Sequence, residues 1–149
     1  MSDVKTKTVR LAQRHDYQFD VHFEGDVPPL LVDEPPPLGQ GEGPAPEQLL
    51  AAAVGNCLSN SLLFALRKFK NRPEPIATEV TIEIGRNEQG RLRVRAMRVS
   101  LTLGAPAESF DHLERVLDSF ESFCTVTQSV GAAIPVAVQV FDAHGLQLK

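Results

Sequence analysis

The chain of 149 residues has no tryptophan, one tyrosine, two methionines and two cysteines. Two cysteines supply no disulfide framework of the kind small exported domains rely on, so reduced thiols in a cytosol are expected. With four scattered histidines and the cysteines far apart, no metal-ligand spacing exists, and neither a metal nor a cofactor is expected. The N-terminal MSDVKTKTVR lacks an apolar segment, which argues against a secretory signal and for a cytoplasmic protein. Positive charge is not in excess either. Fifteen Lys and Arg against nineteen Asp and Glu leave a net charge of −4, which argues against a general binder of nucleic acid or anionic membranes. No stretch reaches ~18 uninterrupted apolar residues, so no membrane span is expected.

What is present suits one globular domain over residues 1–149, with 42% apolar and 23% charged residues. Residues 1–33 read as an antiparallel meander. Val4–Gln13 forms a first strand, Arg14-His15-Asp16 a turn, and Leu30–Val32 a short third strand. Between them Tyr17, Phe19, Val21 and Phe23 alternate with Gln18, Asp20, His22 and Glu24, the pattern of a half-buried strand. Residues 34–46 are rich in Pro and Gly and read as a connector. No Lys-Ser/Thr follows the glycines, and Glu42 and Glu47 would repel phosphate, so a phosphate cradle is rejected.

Pro46–Lys70 is the organising stretch. Leu49, Leu50, Val54, Leu58, Leu62, Leu63, Leu66 and Phe69 cover most of a helical circumference, which places the helix in a core. Cys57 sits at its midpoint. Thr78–Ile84 and Arg91–Leu103 then form a hairpin, and a phase change in the second arm predicts a bulge near Met97-Arg98. Arg91, Arg93 and Arg95 share one strand face and read as a solvated surface. Glu108–Phe123 predicts one amphipathic helix whose stripe of Phe110, Leu113, Leu117 and Phe120 continues to Cys124. A short helical turn over Thr125–Val130 and a last strand over Pro135–Phe141 complete an α+β fold: an antiparallel curved sheet around a buried central helix, with a second helix alongside.

On residues alone, each cysteine reads either as a small core hydrophobe or as a reactive thiol. Asn56, Ser59, Asn60 and Ser61 around Cys57 tilt the balance, since a purely structural core has no need of them. The strings Pro46-Glu47-Gln48-Leu49-Leu50-Ala51-Ala52-Ala53 and Gly55-Asn56-Cys57-Leu58-Ser59 resemble the osmotically inducible/organic hydroperoxide resistance (OsmC/Ohr) family. So does Phe123-Cys124-Thr125-Val126-Thr127-Gln128-Ser129-Val130, and the order of elements fits over nearly the whole chain.

The resemblance implies an OsmC-like intertwined homodimer and a thiol-dependent peroxidase acting on organic hydroperoxides. Cys57 would be the peroxidatic thiol and Cys124 the resolving one, with a Cys57–Cys124 disulfide reduced by an external dithiol, a lipoyl protein or small thiol. Asn56, Leu58 and Gln128 are the expected substrate-lining residues, although Asn56 stands where small residues are commoner in the family. Burial alone raises a thiol pKa, so the chemistry needs a cation. The resemblance supplies an arginine from the N-terminal hairpin held by Glu47. Arg14 is the expected residue and Arg10 the alternative, because LAQRHDYQFD departs from the family's glycine-rich turn.

Ten helical residues rise ~15 Å and leave Glu47 and Cys57 about 80° apart. Glu47 is therefore expected to reach the Cys57 site from the antiparallel helix of a second subunit. Two other readings are carried alongside: a non-enzymatic binder of apolar small molecules at the dimer interface, and an interaction domain whose cysteines only pack.

Overall fold

A computed structural model of the protein describes residues 3–149. Two compact units divide the chain, residues 1–49 and 50–149. In the first, β1 (Arg10–His15), β2 (Gln18–His22) and β3 (Leu30–Val32) form an antiparallel sheet in chain order. The first strand starts at Arg10 rather than Val4, and the turn is Asp16-Tyr17 rather than Arg14-His15-Asp16. Asp16 takes the left-handed conformation (φ 49°), which Asp tolerates better than most residues. The pairing jumps between Gln13 and His15, leaving Arg14 as the extra residue of a β-bulge.

The connector that follows is held by one carboxylate. Asp33 is buried and accepts the backbone N–H groups of Glu34 (2.8 Å), Gln40 (3.2 Å) and Glu42 (3.2 Å) and the Gln18 amide (3.1 Å). A Pro/Gly segment cannot satisfy its backbone by a ladder, so a side chain does it instead.

The second unit contains the main core. The helix α1 (Pro46–Lys68) begins in the first unit and runs on into the second. By length and composition it would suffice to cross a membrane, yet Val54, Leu58, Leu62 and Leu66 have no exposed surface and belong to a core shared with Met97, Val99, Leu101 and Val140. Gly55 permits the approach to β4: a Cβ there would lie 2.7 Å from Val80 Cγ2. One turn on, Ser59 Oγ donates to the Gly55 carbonyl (2.7 Å) and pairs with Thr78 Oγ1 (2.6 Å).

Within a single chain the helix is not covered all round. Ala52, Ala53, Asn56, Asn60 and Phe64 are exposed within this chain, so α1 buries one face and leaves the other open.

The hairpin appears as β4 (Ala77–Arg86) and β5 (Leu92–Thr102). Its bulge is at Arg95, where Glu83↔Ala96 gives way to Ile84↔Val94, two residues before the expected place. The predicted helix over Glu108–Phe123 is broken into a 3₁₀ turn (Ala107–Ser109), α2 (Leu113–Ser119) and a second 3₁₀ turn (Phe120–Phe123). The buried Asn71 side chain explains the break. It donates to the Asp111 carbonyl (2.9 Å) and accepts the Asp111 N–H (2.8 Å), while His112 turns left-handed (φ 56°). Both backbone groups of Asp111 are thereby taken out of any helical ladder.

The short helix α3 (Thr125–Gly131) follows, then β6 (Val136–Phe141). The strand β6 joins β5 in parallel, from Met97↔Val136 to Thr102↔Phe141. The fold is α+β as expected, but it has two three-stranded sheets, the second of them mixed rather than wholly antiparallel.

Burial pushes the Asp33 carboxyl up, but the donors of Glu42, Gln18, Glu34 and Gln40 outweigh it, and the net shift is downward. A folded-state pKa below the unfolded value stabilises above the unfolded pKa, and that stability is lost as pH falls through the folded one. Replacing Asp33→Asn should therefore lower the melting temperature at neutral pH. In calorimetric scans the gap to the parent should close as pH drops below the carboxylate range.

Candidate functional site

Two thiols meet in the second unit. Cys57 is half-buried on α1, one residue before the fully buried Leu58. Cys124 has no exposed surface and sits between the second 3₁₀ turn and α3. The stripe from Phe110 through Leu117 and Phe120 to Cys124 is buried, so the apolar spacing set the facing even where the helix is broken. Both cysteines are free thiols, and Cys57 is near enough to Cys124 to push its pKa up.

The Cys124 thiol also donates to Thr127 Oγ1 at 2.9 Å, within the buried interior. Burial and the contact with Cys57 push the Cys124 pKa up, while contacts to the Thr127 hydroxyl and backbone pull it down. Thr127 was not anticipated among the site residues. Its signal lay in the spacing, since i, i+3 neighbours share a helical face.

The other expected residues fall in different places. Leu58 is sealed in the core. Asn56 is exposed on α1. The Gln128 side chain is exposed and donates to the Glu121 carbonyl (3.0 Å), which closes the preceding turn. Of the polar residues near Cys57, Ser59 belongs to the seam with β4, as described above. Arg14 and Glu47 lie in the first unit, Arg14 on β1 and Glu47 in the first turn of α1. Within that unit the Arg14 guanidinium donates to Asp20 at 2.8 Å. That hydrogen bond and the Asp20 charge hold its pKa above the usual value. Arg10, the alternative, is exposed on β1.

A groove of about 340 Å³ in the second unit runs past Ser61, Phe64, Ala65 and Phe69 of the α1 segment and Val116 and Phe123 opposite. Its flanking Phe64 and Phe123 are both 75% exposed. Ser61 is one helical turn beyond Cys57, and Phe123 adjoins Cys124. Such a volume lies at the lower end of small-molecule sites. The sequence reading gave Phe64 and Phe123 no role, because periodicity alone cannot tell a groove wall from a packed face.

An α+β unit with a thiol on its long helix and a second thiol brought to it from the far end of the chain defines the class. Residues 39–139 match the model of the OsmC-like protein family, and the chain belongs to that family. No functionally curated protein matches the sequence. Solved structures of similar fold include a putative organic hydroperoxide resistance protein from Vibrio cholerae with captopril in one of its active sites. It is 23% identical, with 99% of this chain and 97% of that one covered and a TM-score of 0.72. A putative osmotic stress induced and detoxification response protein from Psychrobacter arcticus is 18% identical, with 94% and 99% covered and a TM-score of 0.76. The organic hydroperoxide resistance protein OhrB of Bacillus subtilis is 16% identical, with 91% and 98% covered and a TM-score of 0.67.

Removing the Thr127 hydroxyl should raise the Cys124 pKa further, because a contact that lowers it is lost. Thr127→Val should move the thiolate absorbance transition of a Cys57→Ser background to higher pH, and Thr127→Ser should leave it near the parent position.

Proposed function

We propose that the protein is a thiol-dependent peroxidase that reduces organic hydroperoxides to alcohols, working in a reducing cytosol. The observation that carries this reading is the pair of neighbouring free thiols, one half-buried and one buried, on segments that also wall an apolar groove. Family membership and neighbours named for organic hydroperoxide resistance support it. In the first step the Cys57 thiolate attacks the terminal oxygen of the hydroperoxide. The O–O bond breaks, the alkoxide leaves and takes a proton to become the alcohol, and Cys57 is left as a sulfenic acid. The Cys124 sulfur then attacks the Cys57 sulfur, forming the disulfide and releasing water. An external dithiol reduces that disulfide by two exchanges and is itself oxidised to a disulfide.

The half-exposure of Cys57 against the burial of Cys124 favours this order of roles. An incoming peroxide meets Cys57, while Cys124 is shielded and waits for its neighbour. A thiolate at Cys57 needs a positive partner, and Arg14 is the assigned residue. Its hydrogen bond to Asp20 holds the guanidinium in a set orientation on the bulge. Glu47 completes the assignment from a second subunit. The open face of α1, with Ala52, Ala53, Asn56, Asn60 and Phe64, is the surface for that subunit. A helix this apolar is characteristically covered on most of its circumference, which supports a partner on that face.

Free-thiol counts before and after one equivalent of cumene hydroperoxide test the chemistry. Both thiols should disappear in the parent, and Cys124→Ser should yield a sulfenic acid that a dimedone-type reagent traps. Cys57→Ser should abolish peroxide consumption. Thiols that survive the peroxide would sink the enzymatic reading and leave an apolar binder. The subunit arrangement has a separate test: light scattering should give a dimer for the parent, and Ala53→Glu, which puts a charge on the open face, should shift it to monomer.

A further inference from the structure

The buried sulfur of the pair has no direct contact with water, yet it must lose a proton to form a disulfide. Resting on the two-thiol cycle proposed above, we propose that the Thr127 hydroxyl is the proton exit of Cys124, taking the thiol proton and passing its own to water in an adjoining cleft. That cleft, about 350 Å³, is lined by Glu121, Thr127, Gln128, Gly131, Ala132 and Val136. It shares no residue with the groove beside Phe64 and Phe123.

A thiol has one proton to give. That of Cys124 goes to Thr127 Oγ1 at 2.9 Å, so what the sulfur can turn toward Cys57 is a lone pair. Burial is the larger cause that pushes the Cys124 pKa up, and the sulfur is still protonated when its turn comes. Cys124 has no exposed surface, whereas Thr127 keeps 6% of its own and lines the cleft. The hydroxyl thus has the sulfur on one side and open space on the other, and it can accept one proton while donating another. The need of a buried hydroxyl for a partner would explain the contact with Cys124. It would not explain why that partner also opens on a cleft. Cys124 itself is not among the walls, so the cleft passes a proton without admitting a peroxide to the second sulfur.

The geometry of displacement at sulfur calls for such an exit. An attacking sulfur approaches in line with the bond that breaks, so the group leaving Cys57 departs on the side away from Cys124 and cannot collect its proton. As the S–S bond forms, the electron pair of the Cys124 S–H bond stays on sulfur and becomes the new bond. The proton moves to Thr127 Oγ1, and the Thr127 hydroxyl proton moves to a water in the cleft. The S–O bond of the Cys57 sulfenic acid breaks, and the departing hydroxide takes a proton from solvent on its own side to become water. One proton leaves at the cleft for each one taken up beside Cys57, and Thr127 ends as it began.

Ellman's reagent, an aromatic disulfide, isolates this step without a peroxide. Cys57 should release one equivalent of thionitrobenzoate and become a mixed disulfide. Cys124 then attacks the Cys57 sulfur and releases a second equivalent, which Cys124→Ser should abolish. Thr127→Val should slow the second release about a hundredfold at neutral pH while the first keeps its rate, and Thr127→Ser should restore it. Ala132→Phe, which enlarges an exposed residue of the cleft wall, should slow the second release as well. Plotted against the Cys124 thiolate fraction, the Thr127→Val rates should lie below those of the parent. A single common curve would reduce Thr127 to a modifier of the thiol pKa and overturn the proposal, as would equal second releases in parent, Val and Ser proteins. Thiols that ignore cumene hydroperoxide yet show the Thr127-dependent second release would end the peroxidase reading and keep the proton exit. Peroxide consumption by a protein whose second release is indifferent to Thr127 would do the reverse.

Discussion

The approach of α1 to β4 at Gly55 is the contact on which the second unit depends. No side chain separates the helix backbone from Val80 there, and Ser59 and Thr78 close the seam with a hydrogen bond one turn further on. With the helix seated this tightly, Leu58, Leu62 and Leu66 reach the sheet and lose all contact with water. Burying each of three leucines contributes on the order of 1.5–3 kcal/mol, a large share of the net stability of a domain this size. The same seating fixes the rotation of the helix. Cys57, one residue from Leu58, is thereby held at the edge of the core, half in and half out, where a thiol is both ordered and reachable.

Around that edge the chain arranges polar groups sparingly. Asn71 unties the backbone at Asp111, which lets the segment after it bend so that Phe120 and Cys124 both enter the core. Thr127 then gives the buried Cys124 sulfur its hydroxyl partner. Each is a single side chain meeting a single need, and the surrounding interior remains apolar. The first unit uses the same economy, with Asp33 collecting three backbone donors of a Pro/Gly connector.

Much of this was legible in the sequence, and the limits of legibility have physical causes. The ends of α1 fall within two residues of those read from Pro46 and Lys70, because Pro, the apolar run and the terminal basic residues all act locally. Leu30–Val32 was read to the residue. The break at His112 was not, since it depends on Asn71, forty residues away in sequence. Nor was the parallel pairing of β6, because alternation reveals a strand but not the direction of its neighbour. The bulge was inferred from the phase change in β5 and displaced by two residues, as side-chain facing marks only the neighbourhood of the extra residue. For the site, the place of Cys57 on the long helix and of Cys124 on the buried stripe was legible from motif and spacing. Thr127, the groove walls and the open face of α1 were not, because they depend on which of several apolar faces is left uncovered.

The parallel β5–β6 pair sets the order in which the two sulfurs can meet. A parallel neighbour cannot be reached by a tight turn, so the chain leaves β5 at Thr102, makes the whole excursion through α2, Cys124 and α3, and returns to lie beside it. During synthesis the helix bearing Cys57 and the β4–β5 hairpin emerge first, and nothing yet holds the later segment in place. Contacts between residues far apart in sequence form late, because the intervening loop must be closed before they are rewarded. The nascent protein therefore carries its first sulfur alone until the excursion through α2 folds back and brings Cys124 to it.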